Sequence, residues 1–98
     1  MAQLYKLKAR VWLYPGESAA WHFVNIDKQV SAELKERLGS KARGFGSLRV
    51  VVKLGKTEWK TSIFPDKRSL TYLLPLKAEV RRKERVDEGD VIQFSITL

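Results

Sequence analysis

The 98-residue chain contains no cysteine, one histidine and one methionine. Without thiols there is neither a disulfide framework nor a cysteine nucleophile, and one imidazole cannot build a Cys/His metal site. The fold must therefore rest on its own apolar core. A composition of 44% hydrophobic and 10% aromatic residues is enough for one ordinary domain. Long apolar runs are lacking too. No stretch approaches the roughly 18 residues of a membrane span, and the N-terminus, MAQLYKLKARVW, alternates charge with apolar residues where a signal peptide would build an apolar block. These absences predict a soluble, untargeted, cytoplasmic domain with no membrane partner. Acids are scarce as well: 11 against 19 Lys and Arg, for a net charge of +8. A basic surface attracts polyanions through phosphate contacts and counterion release. The excess is spread evenly, with nine cations against four acids in residues 1–50 and ten against seven in residues 51–98. No basic tail or linker stands apart, and solubility accounts for such charge equally well.

The apolar pattern predicts mainly strands. From Leu4 to Tyr14, Tyr5, Leu7, Ala9, Val11 and Leu13 fall on one side and Lys6, Lys8 and Arg10 on the other, as in a strand with one buried face. Pro15 to Ser18 is turn chemistry, and Trp21–Ile26 is a second strand. Asp27 is placed to cap a helix carrying Val30, Leu34 and Leu38 on one stripe, with Glu33 and Arg37 paired outside it and Gly39 closing its C-terminus. Ser40–Gly46 is a basic loop with Phe45 at its centre. Leu48–Leu54 and Thr57–Phe64 form a hairpin across Gly55-Lys56, with Arg49 and Lys53 on the outer side of the first strand. Leu70–Leu74 is a further strand, running through Pro75 into a two-turn helix over Lys77–Glu84 whose Val80 faces inward. The last strand alternates Ile92, Phe94, Ile96 and Leu98 with polar residues.

The order β-β-α-β thus occurs twice, and an offset of fifty aligns Phe23 with Leu73, Val24 with Leu74, Ile26 with Leu76, Val30 with Val80 and Pro15 with Pro65. A repeat of this kind predicts a pseudo-two-fold barrel of about six strands, built from residues 4–54 and 54–98, in which two half-sheets share a core and two short helices cap it.

Gly44-Phe45-Gly46-Ser47, Leu54-Gly55, the run Trp59 to Lys67, the run Tyr72 to Lys77 and Glu88-Gly89-Asp90 resemble the motifs of the bacterial and archaeal domain of unknown function 1905. The resemblance is specific over residues 44–98 and looser over the first strand and residues 21–38. It implies a partly open, double-split β-barrel with a helix at each end, in the order β-β-α-β-β-β-α-β. It implies no activity and no cofactor. The family pattern has glycine near the positions of Leu70 and Arg85, where this chain departs from it.

Catalytic constellations are missing. His22 has no acid or hydroxyl beside it in sequence to form a catalytic pair. Ser62 lacks the glycine framing of a nucleophile elbow. Asp87, Glu88 and Asp90 around Gly89 lack calcium-loop spacing and suit a turn. The chain is therefore expected to be a non-catalytic binding module without cofactor or metal. Lys67, Arg68, Lys77, Arg81, Arg82 and Arg85 are the candidate basic patch, around the second helix and its preceding turn, for nucleic acid or an acidic protein. Trp59, Ser62 and Tyr72 are candidates for a small-ligand pocket. An uncovered strand edge would serve protein interaction, and the sequence leaves monomer and homodimer open. Trp59 and Phe64 lie on opposite faces of one strand, and Trp12 is the aromatic best placed for exposure.

Overall fold

The computed structural model describes residues 3–15 and 20–98; of the turn expected over residues 15–18 only the backbone of Pro15 falls within that description, and the side chains of Pro15 and Ala20 lie outside it. Among the described residues seven strands and two α-helices follow one another: β1 (Leu4–Arg10), β2 (Trp12–Pro15), β3 (Ala20–Asn25), α1 (Lys28–Leu38), β4 (Leu48–Leu54), β5 (Thr57–Asp66), β6 (Thr71–Pro75), α2 (Ala78–Glu84) and β7 (Val91–Thr97). The order is therefore β-β-β-α-β-β-β-α-β, with one strand more than the sequence pattern predicts. The extra strand comes from a break at Val11. There the backbone N–H donates to the Asp90 carbonyl and the carbonyl accepts from the Gly89 N–H, both at 2.8 Å. Val11 thus pairs with the turn before β7 while the chain passes from one partner strand to another. Alternation alone could not reveal this, because Ala9 and Val11 both point inward across the break.

All strand pairs are antiparallel, in the order β1-β7-β4-β5-β6-β3-β2. Because β1 and β2, at the two ends of this order, are joined through a single residue, the sheet curls into a half-barrel. β5 spans both halves, pairing with β4 from Thr57 to Ile63 and with β6 from Phe64 to Asp66. Val24, Ile26, Val52, Ile63, Leu74 and Ile96 fill the interior with no accessible surface, each worth about 1.5–3 kcal/mol of burial.

The helices are tied to the sheet in related ways. Asp27 caps α1 by accepting from the N–H groups of Gln29 and Val30. Buried Ser31 donates its hydroxyl to the Ile26 carbonyl at 3.0 Å and accepts the Tyr72 N–H at 3.0 Å. Fifty positions on, Arg81 Nε donates to the Leu76 carbonyl at 3.1 Å. The Ile26 N–H reaches the Tyr72 carbonyl and the Leu76 N–H reaches the His22 carbonyl, each at 2.8 Å. Fifty also separates Val24 from Leu74, which face each other across β3 and β6. The offset does not extend to β2: Trp12 lies opposite Phe23 and Phe64 opposite Leu73, so Trp12 and Phe64 are the matching pair and Pro15 does not match Pro65. Gly39 departs from expectation too, ending α1 with right-handed backbone (φ −57°) that leads into a 3-10 turn over Gly39–Lys41. The predicted ion pair Glu33–Arg37 is present at 3.4 Å, and Glu79 and Lys83 pair at the same spacing on α2 at 3.3 Å.

Candidate functional site

The curl gives the sheet two outward surfaces of different chemistry. On the half made of β1, β7, β4 and the first part of β5, the outward positions carry exposed Lys6, Lys8, Arg10, Arg49, Lys53 and Lys60, against one acid, Glu58. Neither ion pair found among the described residues involves any of them. The register explains the grouping. Neutral β7 runs between two basic strands, so Lys6, Ser95 and Lys53 stand in one row across the sheet. With strands about 4.8 Å apart, the two lysines bracket the serine hydroxyl at a spacing near 10 Å. Lys6, Lys8, Lys53, Gln93 and Ser95 line a shallow trough of about 420 Å3.

The other half, formed by β2, β3, β6 and the end of β5, turns aromatic rings outward. Trp12, Tyr14, Trp21, Phe23 and Phe64 line a concavity of about 580 Å3 with Leu73, Pro75, Asp66 and Arg68. Tyr14, Trp21 and Phe64 are 54%, 56% and 40% exposed. Four of the five rings are in contact: Trp12 and Phe23 lie 5.3 Å apart by centroid, Trp21 stacks on Phe23 at 6.3 Å with planes 11° apart, and Trp12 meets Tyr14 edge-on. A hydrogen-bonded chain fixes the floor. The Trp12 indole N–H donates to Asn25 Oδ1 at 2.6 Å, and Asn25 Nδ2 donates to the Thr71 hydroxyl at 2.9 Å. Thr71 and Ser69 hydroxyls meet at 2.7 Å, and Ser69 donates its hydroxyl and backbone N–H to Asp66 Oδ2. The Ser69 hydroxyl bond, chiefly, holds the Asp66 carboxyl below its usual range. The polar atoms of this floor are thus engaged with one another.

The predicted basic patch does not form one surface. Lys67 and Arg68 precede β6 while Lys77 follows it, so the five residues of β6, roughly 16 Å of strand, lie between them. Lys67 borders a concavity with Ser31, Ala32 and Lys35 of α1, whereas Lys77 borders another with Trp21, Trp59 and Lys60. Arg81 is half-buried, bonded to the Leu76 carbonyl, with Nη1 3.5 Å from His22 Nε2. Arg82 is exposed on α2, and Arg85 is exposed in left-handed backbone at its C-terminus. The predicted pocket is dispersed as well. Trp59 belongs to the core, Tyr72 borders the α1 concavity with its phenol pushed up by burial, and Ser62 accepts a hydrogen bond from Arg49 on the basic half. Trp12 turns outward from the core, as its strand position predicts, and Phe64 lies outward on the face opposite Trp59. The cations of β1 and β4 were legible as outward residues of separate strands. That β7 brings those strands together was not, because strand order is not written in alternation.

His22 faces inward, where burial first and the Arg81 charge second push its imidazole down, against weaker opposite pulls from Glu88 and Asp87. Among the described residues its Nδ1 has no hydrogen-bond partner. Asp87 and Asp90 serve the turn, Asp90 Oδ2 accepting from the Asp87 N–H at 2.9 Å. Among the described residues no three His, Asp or Glu side chains gather to hold a metal ion, and no helix is long and apolar enough to cross a membrane.

Residues 8–96 match the family described as Domain of unknown function (DUF1905), and the chain belongs to that family. No curated protein matches it.

Proposed function

We propose that this domain is a non-catalytic binding module that holds an anionic polymer, with nucleic acid as its polymer, against the outward basic half of its sheet. The observation that carries this reading is the row Lys6-Ser95-Lys53, two ammonium groups flanking a hydroxyl donor in a trough walled by a third lysine, Lys8. Lysines so placed meet phosphate oxygens from both sides and release condensed counterions on contact. The site is therefore moved from the second helix, where the half-buried Arg81 is committed to backbone, to the sheet. We also read the curled sheet as a partly open double-split barrel whose units, residues 4–54 and 54–98, repeat about a pseudo-two-fold axis. The reciprocal bonds joining Ile26 to Tyr72 and Leu76 to His22 support that reading.

Titration of a fluorescein-labelled 12-nucleotide oligothymidylate and of inorganic polyphosphate, followed by anisotropy at several sodium chloride concentrations, tests the proposal. Affinity should fall linearly in a log–log plot, with a slope of about −0.7 per phosphate contacted. The double variant Lys6→Glu/Lys53→Glu should lose about tenfold or more for both probes, and Lys67→Glu/Arg82→Glu should lose far less. Absence of binding to either probe at low salt, or equal loss in both variants, would overturn it.

A further inference from the structure

We infer that the aromatic concavity is a base-stacking platform, and hence that the polymer bound is single-stranded nucleic acid; this rests on the polyanion reading of the basic half-sheet. A cluster of exposed rings marks a site for a partner, and flat rings, with the Trp12 indole N–H already engaged by Asn25, favour one that offers flat faces. The Trp12 indole N–H is held by Asn25, which fixes its ring while leaving hydrogen bonding to neighbouring side chains. Tyr14, Trp21 and Phe64 then present a sequence-tolerant surface, since every base has a π-face.

Charge complementarity selects the partner. Arg68 lines the aromatic concavity, and Trp21 also lines a second concavity of about 320 Å3 with Lys60 and Lys77. Lys60 belongs to the outward basic face, so cations and rings meet at Trp21. Along the first chain segment the outward positions read Lys6, Lys8, Arg10, Trp12 and Tyr14, passing from cation to ring with no change of face. A strand of nucleic acid can thus keep its phosphates on the lysines and turn unpaired bases onto the rings. A duplex hides those faces within its stack, and polyphosphate has none. An apolar ligand would match the rings but leave the flanking cations without a role.

The test compares three probes on the same protein: the 12-nucleotide oligothymidylate, a 12-base-pair duplex and inorganic polyphosphate. The oligothymidylate should bind about tenfold or more tightly than either of the others and quench tryptophan emission, because Trp12 and Trp21 line the platform. Trp21→Ala/Phe64→Ala should lose about tenfold or more for the oligothymidylate while keeping its affinity for polyphosphate, and Trp21→Phe should restore most of the loss. Both side chains are exposed, so an unchanged thermal midpoint is expected and confirms that the variant is folded. Equal binding of all three probes with no effect of the ring variants would overturn the platform and leave the polyanion reading standing. Failure of every probe to bind would overturn both.

Discussion

Phe45, Leu70 and Arg85 hold left-handed backbone, at φ 61°, 59° and 55°, although none is glycine. Such backbone costs an L-residue about 1–2 kcal/mol, and all three side chains are exposed, Phe45 at 97%. The family resemblance places glycine near two of these positions, and the geometry supplies the reason. Leu70 ends the turn begun at Asp66, its N–H donating to the Asp66 carbonyl at 3.0 Å; Arg85 ends α2, with the next N–H, from Val86, reaching back to the Arg81 carbonyl at 2.9 Å. Both are turn shapes that glycine adopts freely. Leu70→Gly and Arg85→Gly should each raise stability by about 0.5–1 kcal/mol, the relief of strain less the extra entropy of an unfolded glycine. Urea unfolding with an unchanged m-value measures this, and a lower midpoint would show that the native side chains support the fold. Gly55 is the contrasting position. It too is left-handed, at φ 59°, but an added Cβ would run into the Glu84 carboxylate, which accepts the Thr57 hydroxyl at 2.6 Å over that turn.

Element by element, strands and helices were legible because each has one apolar face, and Val24, Val52 and Ile96 show how completely those faces are buried. What remained illegible were the partners. Nothing in LYKLKARVWLY announces that its first part pairs with β7 and its second with β3, since the inward sense of the side chains runs unbroken through Val11. The ties between helix and sheet were equally hidden, because a serine and an arginine perform them at equivalent positions. Ser31 serves two backbone groups from a buried site, and its loss would strand the Tyr72 N–H and the Ile26 carbonyl without that hydroxyl. The Ile26 carbonyl loses a donor and the Tyr72 N–H its acceptor, so Ser31→Ala should cost about 1–3 kcal/mol and speed amide exchange at Tyr72. An unchanged exchange rate there would mean that the helix is held by packing alone. Arg81→Ala removes a bond that is only partly buried and should cost less.

At the scale of the whole molecule, one sheet carries a basic surface and an aromatic one, with an apolar interior toward which the imidazole of His22 is turned. The stretch around His22 read as a strand face in sequence, and its proximity to Arg81 emerges only when β3 and α2 meet through the Leu76 to His22 hydrogen bond. Burial, and then the guanidinium charge, lower the imidazole's proton affinity below its unfolded value of 6.5. The unfolded chain therefore takes up a proton that the folded chain refuses as pH drops below about 6.5, which favours unfolding. Stability is fully present above that pH and declines as the medium acidifies toward the folded pKa, by no more than about 1.4 kcal/mol per pH unit for one group. Asp66, whose folded pKa is also lowered, acts in a different window: its contribution is present above pH 3.8 and is lost only below it. Urea unfolding at pH 7.5 and pH 5.0 thus isolates the histidine. The native chain should lose more stability across that interval than His22→Gln, which has no proton to gain. Arg81→Ala should narrow the difference, because it removes the charge that opposes protonation. Equal losses in the native chain and His22→Gln would show that the ring binds its proton as readily in the fold as in the unfolded chain.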